Sequence, residues 1–475
     1  MKISRRTMIF GGGALAALVG VPAALKLRWD ARDFTRDGYT PTAPAPPDGR
    51  VNWMNWSGAQ RATPRDLVTP RTEQDLAEFV RASAHRIRPV GSGHSFSALA
   101  PSDGYILQSN YFSGLKSLDP ETHEARFGSG TLMFEASGAL AAQGRAFQNL
   151  PDIDVQTLAG AFSTATHGTG ETLPALHDHI TGFRLITADG DVIDVSAEAH
   201  PDLFEAGKVS LGALGIITEY RLKTLPAYRL RRRATVEKID DLIDSIEARA
   251  PQHRNFEFFY LPGTGLALSI THDETDAPVS EAPESADDET MDALKQLRDE
   301  LGWAPWLRRR ISQANLPTGV LEDHVGWSHE LLATTRPIRF NEMEFHLPRE
   351  EGPRTVREVI RMLDRRGDAY WPVEYRHIAP DTAWLSPFQG GPRASIAIHA
   401  AVDERYDYFF DEFQPLYLSR GGRPHWGKHH SLGREDLAAL YPDFDRFLDV
   451  RRQLDPTGKF LNPHLATLFG EAFDA

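Results

Sequence analysis

The sequence predicts an α+β protein built from two consecutive domains, over about residues 51–230 and 231–475. The length of 475 residues is enough for two or three domains that each bury a core. Apolar residues make up 41% and charged residues 25% of the chain, which is close to ordinary globular usage and argues against a disordered protein. Short strands and short helices are mixed along both halves, a pattern typical of the α+β class.

Two features of the composition exclude classes of function. The 52 Lys+Arg and 66 Asp+Glu residues give a formal net charge of −14, which repels phosphate backbones, so nucleic-acid binding is not expected. The chain contains no cysteine, which excludes disulfides, thiolate metal sites, iron–sulfur clusters and cysteine nucleophiles. Oxygen and imidazole ligands and non-thiol chemistry are left.

The N-terminal residues 1–30 have the pattern of an export signal. Arg5 and Arg6 directly precede an apolar, Gly/Ala-rich stretch from Met8 to Leu25. Paired arginines at this place are typical of the twin-arginine route, which carries folded proteins across the bacterial inner membrane. We therefore expect the export machinery as a partner and a periplasmic or inner-membrane-anchored location. A stretch of this length is borderline for spanning a bilayer, so a cleaved signal and an uncleaved anchor are both open.

A Pro-rich linker over residues 31–50 is expected to be extended and poorly packed. In the first domain, hydrophobic periodicity and turn residues predict two helices and several short strands. The helices are expected at 72–85 and 132–143, the strands at 88–90, 105–108, 124–127 and 216–225, and a hairpin over 182–195 around an Asp-Gly turn.

The second domain combines further strands with one amphipathic helix. The strands are expected at 255–260, 339–346 and 394–401, and the helix at 355–365. Between Asp273 and Glu300 there are eleven acidic residues against two basic ones. This excess predicts a solvated insertion or a mobile loop near 273–300 rather than an acidic ligand site.

Three segments are rich in glycine, other small residues and hydroxyls. Gly91-Ser92-Gly93-His94-Ser95 follows a strand, residues 157–170 are nearly all small and uncharged, and 211–217 forms a third small-residue loop. Glycines allow the backbone to approach an anion such as a pyrophosphate closely. No Gly-x-Gly-x-x-Gly pattern opens a helix here, so this is not the common dinucleotide fingerprint. Because a core would use such residues poorly, the second segment predicts a cradle for a long, polyanionic, partly aromatic cofactor.

In this order and spacing, the three segments resemble the FAD-binding domain of the vanillyl-alcohol-oxidase (PCMH-type) family. The closer similarity is to its sugar-alcohol and aldonolactone oxidase branch, with alditol oxidase, gulonolactone oxidase and D-arabinono-1,4-lactone oxidase. Val-Glu-Tyr-Arg at 373–376, His-Trp-Gly-Lys at 425–428 and the segment 454–463 extend the resemblance, which covers about residues 51–470. It implies a two-subdomain PCMH-type FAD-binding domain followed by an α+β substrate (cap) domain.

The resemblance implies FAD as the cofactor, attached covalently at the flavin 8α-methyl carbon through the imidazole of His94. A second attachment through cysteine is excluded by composition. Thr157 and Ile217 have a loop or core role as their alternative. The other residues that the resemblance implies as FAD contacts are Gly91, Ser92, Gly93, Ser95, Phe96, Gly160, Ser163, Thr164, Thr166, His167, Gly168 and His425.

Glu374 and Arg376 are two residues apart, so on a strand both face the same side. A carboxylate and a guanidinium on one face can hold and polarise a substrate oxygen, and their proximity is expected to keep both charged. The alternative is a structural ion pair. The resemblance implies that Lys428 places a positive charge near the reduced flavin.

His399 is a further candidate substrate contact, with a core histidine as the alternative. Asn149 stands where alditol oxidases have a serine, and Ala401 where they have a threonine, so the polyol contacts are in question. A metal site at His425 and its neighbours His429 and His430 is not expected, because Pro424 and Gly427 interrupt any helix that would align them.

The resemblance thus implies an exported FAD-dependent oxidoreductase that oxidises a sugar-derived alcohol or lactone by hydride transfer to flavin N5. O2 is the expected acceptor, giving H2O2. The alternatives are a dehydrogenase that uses a quinone or cytochrome, and a non-catalytic FAD-binding module.

Overall fold

A computed structural model describes residues 23–40, 42, 46, 49–283, 287–334 and 338–473 of the chain. The paired arginines and most of the apolar stretch in the expected export signal lie outside the described residues. Within the described ranges, no helix combines the length and the apolar character needed to cross a bilayer.

The first domain contains two separate sheets. A parallel sheet has the strand order Asp66–Val68, Tyr105–Gln108, Ile87–Val90. An antiparallel sheet has the order Val192–Ser196, Ile180–Ile186, Ile216–Lys223, Glu124–Gly128, Leu115–Leu118. The predicted hairpin is confirmed, since Val192 pairs with Ile186 across the turn. Short strand pairs join Trp53–Met54 to Arg61–Ala62 and Arg145–Ala146 to Leu225–Pro226.

The helices of the first domain are Glu73–Ala82, Met133–Ala141, Leu158–Ser163 and Pro201–Lys208. The first begins where the sequence predicts, because the Thr72 hydroxyl accepts a hydrogen bond from the Asp75 N–H and the Asp75 carboxylate accepts one from the Thr72 N–H. It buries Leu76 and Val80. Two predicted helices are therefore confirmed, each a few residues shorter than expected.

The helix Leu158–Ser163 corrects one expectation. Residues 157–170 are expected to suit a core poorly, yet Leu158, Ala161 and Phe162 pack into the main core. Residues at positions i, i+3 and i+4 share one face of a helix, so these three side chains face the core, while Ala159, Gly160 and Ser163 line the cavity. The segment therefore serves as core and as cavity wall at once.

The second domain is built on an eight-stranded antiparallel sheet. Its strand order is Gly319–Trp327, Arg229–Lys238, Leu266–Glu274, Asn255–Leu261, Val373–Ile378, Arg393–Ala401, Phe340–Pro348, Arg423–Pro424. Its helices are Ile239–Arg249, Asp287–Leu301, Pro305–Asn315, Ser328–Leu331, Gly352–Arg366, Gln414–Ser419, Arg434–Leu440, Phe444–Leu454 and Pro463–Phe469. Gly352 begins its helix against the side chains of Tyr375 and Ala394, so this helix covers one face of the sheet. The opposite face is turned toward the first domain.

The acidic segment near 273–300 is only partly the solvated insertion that its charge predicts. Residues 276–283 are exposed, but a helix follows at Asp287–Leu301 and buries Leu294, Leu297 and Leu301. The leucines recur at helical spacing beneath acidic residues. A count of charges cannot show the helical spacing of the leucines. The expectation of a solvated insertion or mobile loop is therefore wrong for residues 287–300.

The expectation that the linker is poorly packed is wrong around Phe34 and Arg36, and Trp29, which precedes the linker, is docked as well. The Trp29 indole N–H donates to the Asp299 carbonyl at 3.1 Å, and Trp29 is 6% exposed. Backbone hydrogen bonds then join Arg36 to Asp403 and Arg405 to Phe34, at 2.7 and 2.9 Å. This part of the chain is docked on the second domain.

The C-terminal segment returns to the first domain. The buried guanidinium of Arg88 donates to the carbonyl oxygens of Leu99, Leu211, Gly212 and Phe460. Asn462 donates to three carbonyls of the loop 98–101. Residues 455–462 therefore close the parallel sheet and its loops, and both domains share one hydrophobic core.

Candidate active site

A cavity of about 640 Å³ lies between the loops of the first domain and the inner face of the second-domain sheet. One wall consists of segments 88–95, 129–135, 156–167 and 210–217. The other carries charged residues from three neighbouring strands, together with His425 and Lys428. Small and hydroxyl-bearing residues thus face a charged surface.

The strand register brings the charged residues together. Glu374 pairs with Ala397, Ala397 pairs with Glu344 on the next strand, and His399 pairs with Glu342. Because side chains alternate along a strand, these residues lie on one face. The small Ala397 leaves open space between two carboxylates.

The principal ionic partner of Arg376 is Glu344. Nη2 of Arg376 lies 2.6 Å from Oε1 of Glu344 and 3.1 Å from Oε2 of Glu374. All three side chains are at most 8% exposed. The nearby Arg376 and His167 hold the pKa of Glu344 well below its usual value despite burial. The two carboxylates in turn raise the pKa of Arg376.

Glu374 behaves differently. Burial raises its pKa well above the usual value, and the opposing effect of Arg376 is smaller. This direction runs against the expectation that Arg376 keeps Glu374 charged. Of the two carboxyl groups beside Arg376, Glu374 takes up a proton more readily than Glu344, and once protonated it can donate a hydrogen bond.

Lys428 and His399 lie beside this pair. The Lys428 ammonium forms an ion pair with Glu342, and its nitrogen is 5.1 Å from the centre of the Phe96 ring. His399 Nδ1 lies 2.7 Å from the carbonyl oxygen of Pro372, and Nε2 lies 3.7 Å from Oε1 of Glu342. Burial lowers the pKa of His399.

His94 lies at the cavity edge and stacks on Trp56, with ring centres 5.0 Å apart. Burial, and then Lys428, lower the pKa of His94 to about 4. The imidazole is therefore neutral near pH 7, which leaves a nitrogen lone pair for bonding.

The cavity wall fits a polar cofactor. The buried Ser129 hydroxyl and the Gln156 side-chain carbonyl both belong to residues of the wall, and neither has a hydrogen-bond partner among the described residues. Such atoms are costly unless a ligand satisfies them. At Gly91, a Cβ would collide with the Thr157 hydroxyl, so glycine allows two loops of the wall to meet. These features suit FAD, which His94 and the loop residues would hold.

Most of the predicted site residues line this cavity. Those that do are Gly91, Ser92, Gly93, His94, Ser95, Thr157, Gly160, Ser163, Thr164, Thr166, His167, Ile217, Glu374, Arg376, His399, His425 and Lys428.

Three predicted residues do not line it. Asn149 is 1% exposed; its amide N–H donates to Thr169 and its oxygen accepts from Asn255, so it is a structural residue. Phe96 packs beneath Lys428, and a Cβ at Gly168 would collide with the Leu150 carbonyl. Both act behind the wall.

The sequence analysis did not identify two carboxylates and one aromatic ring that belong to the site. Glu342, Glu344 and Trp56 all contact predicted site residues. A signal was present for the first two, since Glu-x-Glu on a predicted strand places both carboxylates on one face. Nothing in the sequence around Trp56 indicates its contact with His94.

Among the described residues, two groups of carboxylates and histidines are close enough to hold a metal ion, with ligand atoms within 4.8 Å of one another. They are His167, Glu344, His346 and Glu342, Glu374, His399. In each group a carboxylate already forms an ion pair, with Arg376 or with Lys428. His429 and His430 lie outside both groups; His429 stacks on Tyr406.

Comparison with known proteins agrees with this geometry. The model of the D-arabinono-1,4-lactone oxidase family matches residues 220–468, and that of an FAD-binding domain matches residues 64–196. The L-gulono-1,4-lactone dehydrogenase of Mycobacterium tuberculosis is 32% identical over 437 residues, covering 88% of this chain and 99% of the relative. The L-gulonolactone oxidase of Mus musculus is 27% identical over 438 residues, covering 88% and 98%.

A cholesterol oxidase from Brevibacterium sterolicum has the same fold, with a TM-score of 0.71 over 90% of this chain and all of the other at 15% identity. Fold, cavity and relatives together define an FAD-linked oxidoreductase that acts on CH–OH groups, with a PCMH-type FAD-binding domain and an α+β substrate domain. Within this class, the chain belongs to the D-arabinono-1,4-lactone oxidase family.

Proposed function

We propose that this enzyme oxidises an alcohol group of an aldonolactone, such as L-gulono- or D-arabinono-1,4-lactone, or of a related alditol. The observation that carries the proposal is the charged sheet face, where Glu374, Arg376 and Lys428 converge at one end of the cavity. Cationic donors there can hold a substrate oxygen and stabilise it as its proton leaves. FAD, when bound, supplies the hydride acceptor at N5.

A lactone fits better than an alditol. The Asn149 amide is occupied by Thr169 and Asn255, and Ala401 carries no hydroxyl, so the polyol contacts implied by the alditol oxidases have no counterpart at these positions. Phe340 and Trp371 instead give the charged end of the cavity aromatic walls that suit a ring. The names of the family and of both relatives support the same substrate class.

Anaerobic mixing of purified enzyme with each lactone and with sorbitol tests this proposal. The lactones should bleach the oxidised flavin faster than sorbitol does. Arg376→Lys keeps the charge but loses the forked donor, and should bind and reduce more slowly. Bleaching by sorbitol alone contradicts the lactone assignment, and no bleaching by any of the three contradicts the proposed function.

For the electron acceptor we propose O2, giving H2O2. The 32% identical relative is named a dehydrogenase, which supports a quinone or cytochrome as the second candidate. Reoxidation of the reduced enzyme in air, with H2O2 measured, distinguishes them. Rapid reoxidation with stoichiometric H2O2 supports the oxidase, and reoxidation only by a quinone analogue or a cytochrome supports the dehydrogenase.

We also propose that His94 carries the flavin covalently. Its neutral imidazole at the cavity edge supports the bond. Denatured wild-type protein should keep its yellow colour in the precipitate, and His94→Ala should release it. His85→Ala, a histidine that does not line the cavity, serves as the control.

For the location of the protein we propose export by the twin-arginine route. Changing Arg5 and Arg6 to Lys should leave FAD-loaded protein in the cytoplasm. Unchanged periplasmic levels of that double variant contradict this route.

A further inference from the structure

The ring of His399 has a fixed protonation pattern. Its Nδ1 lies 2.7 Å from the carbonyl oxygen of Pro372. A carbonyl oxygen only accepts hydrogen bonds, so Nδ1 carries the proton and Nε2 of the neutral ring carries a lone pair. No hydrogen bond to Nε2 is found among the described residues, and the side chain is 11% exposed, as part of the cavity wall.

The Nε2 lone pair of His399 lies near a second hydrogen-bond acceptor, a carboxylate. Nε2 lies 3.7 Å from Oε1 of Glu342, and a ring nitrogen of His399 lies within 4.8 Å of carboxylate oxygens of both Glu342 and Glu374. A lone pair and a carboxylate cannot hydrogen-bond to each other. A hydroxyl placed between them can donate to the lone pair, and the imidazolium formed by proton transfer would then lie beside the carboxylate of Glu342.

The groups that neighbour His399 already have hydrogen-bond or ionic partners. Oε1 of Glu344 accepts hydrogen bonds from Arg376 and Ser395. The Lys428 ammonium donates to Glu342 and has no lone pair. Oε2 of Glu374 lies 3.1 Å from Nη2 of Arg376. Of the described residues at this end of the cavity, His399 offers the neutral acceptor nitrogen without a partner.

We propose that His399 is the catalytic base of the oxidation, an assignment that rests on the proposed function above. The substrate hydroxyl gives its proton to Nε2 of His399. The hydrogen on the carbon that bears this hydroxyl is transferred with its electron pair, as a hydride, to oxidised FAD. The carbon–oxygen single bond of the substrate becomes a carbonyl. After product release the imidazolium returns its proton to water. The substrate loses two electrons and two protons, and FAD takes the electrons with one of those protons.

The base predicts a characteristic pH dependence. Glu342, Glu344, Glu374 and Lys428 are the charged and titratable groups that face His399. Burial, with Lys428 acting in the same direction, outweighs the carboxylates and holds the pKa of His399 below the usual 6.5. The lone pair is therefore available above that pKa and lost below it. The rate of flavin reduction should be level at neutral pH and fall about tenfold per pH unit once the pH drops below the pKa of His399.

The decisive variant is His399→Gln, which keeps a polar side chain but cannot take up a proton. His464→Gln is the matched control, because His464 is also largely buried, also has a lowered pKa (about 4) and does not line the cavity. Anaerobic flavin reduction by L-gulono-1,4-lactone should slow about 10²- to 10⁴-fold in His399→Gln. The acid limb of its pH profile should disappear, while lactone affinity, measured from the flavin spectrum, should change little. A loss below about tenfold, or an acid limb that persists in His399→Gln, overturns the assignment.

A measurement without turnover separates this proposal from the proposed function. Selective ¹⁵N-histidine labelling, with the His399 signals identified by their absence in His399→Gln, reports the tautomer directly. The expected result at pH 7 is a protonated Nδ1 and an unprotonated Nε2. A protonated Nε2 overturns the assignment even where lactones bleach the flavin. No bleaching by any tested alcohol overturns the proposed function, and with it the role of His399.

Discussion

The two walls of the cavity recognise their ligands by different means. The first-domain wall offers backbone, hydroxyls and small side chains, and a glycine such as Gly91 allows its loops to meet. The second-domain wall offers charges, and each charge is held by a neighbour on another strand, as Arg376 is by Glu344. The difference teaches that the cofactor wall needs small side chains, so that its backbone can approach the ligand closely. The substrate wall instead needs each buried charge to have a partner of opposite charge.

The largest expected effect lies on the charged wall. Glu344→Gln removes the ionised partner of buried Arg376 and should destabilise the fold by about 3–5 kcal/mol. Denaturant unfolding measures this loss. The double variant Glu344→Gln/Arg376→Met removes both charges and should recover much of it; equal instability of the single and double variants would show that the two charges are not coupled.

The cofactor wall should show an intermediate effect from a single methyl group. Gly91→Ala places a Cβ against the Thr157 hydroxyl, which should cost about 1–3 kcal/mol and reduce the FAD content of purified protein. Adding Thr157→Ala should restore part of the FAD content, even though it removes the hydroxyl that caps the helix Leu158–Ser163. FAD per protein, read from the absorbance ratio, tests this coupling. Normal FAD content in Gly91→Ala alone would contradict the close approach.

The smallest effect on stability near pH 4 is expected for Glu374→Gln, and its pH dependence gives the sharpest contrast. Because the pKa of Glu374 is raised in the folded protein, its contribution to stability is present below its unfolded pKa and is lost as the pH rises toward the folded pKa. Near pH 4 the amide variant should therefore differ from wild type by less than about 1 kcal/mol. Toward neutral pH the free energy of unfolding of the variant should rise relative to that of wild type, by up to about 1.4 kcal/mol per pH unit.

For Glu344, the pH dependence of its contribution to stability should have the opposite sign. Its lowered pKa gives stability above the unfolded pKa, and this stability is lost as the pH falls through the folded pKa. Unfolding free energies of both Gln variants at several pH values test the contrast. Parallel pH curves for the two variants would contradict the opposite pKa shifts of the two carboxyl groups.

The sequence predicted most strands and helices, because each has local periodicity and caps such as Thr72. It also predicted the glycine- and hydroxyl-rich wall, whose signal is contiguous along the chain. The substrate wall was only half predicted. Glu374 and Arg376 lie on one strand, but Glu344 reaches Arg376 through the pairing of strands that are distant in sequence. The raised pKa of Glu374 follows from its burial, which local sequence patterns do not contain.

The closure of the first domain by residues 455–462 has a consequence for the order of synthesis. The acceptors of Arg88 include the Phe460 carbonyl, which is made 372 residues after Arg88. The first domain should therefore wait for residues 455–462 before its loops can close around FAD. A chain that ends before Asp455 should emerge without bound flavin, and cofactor loading should follow translation rather than accompany it.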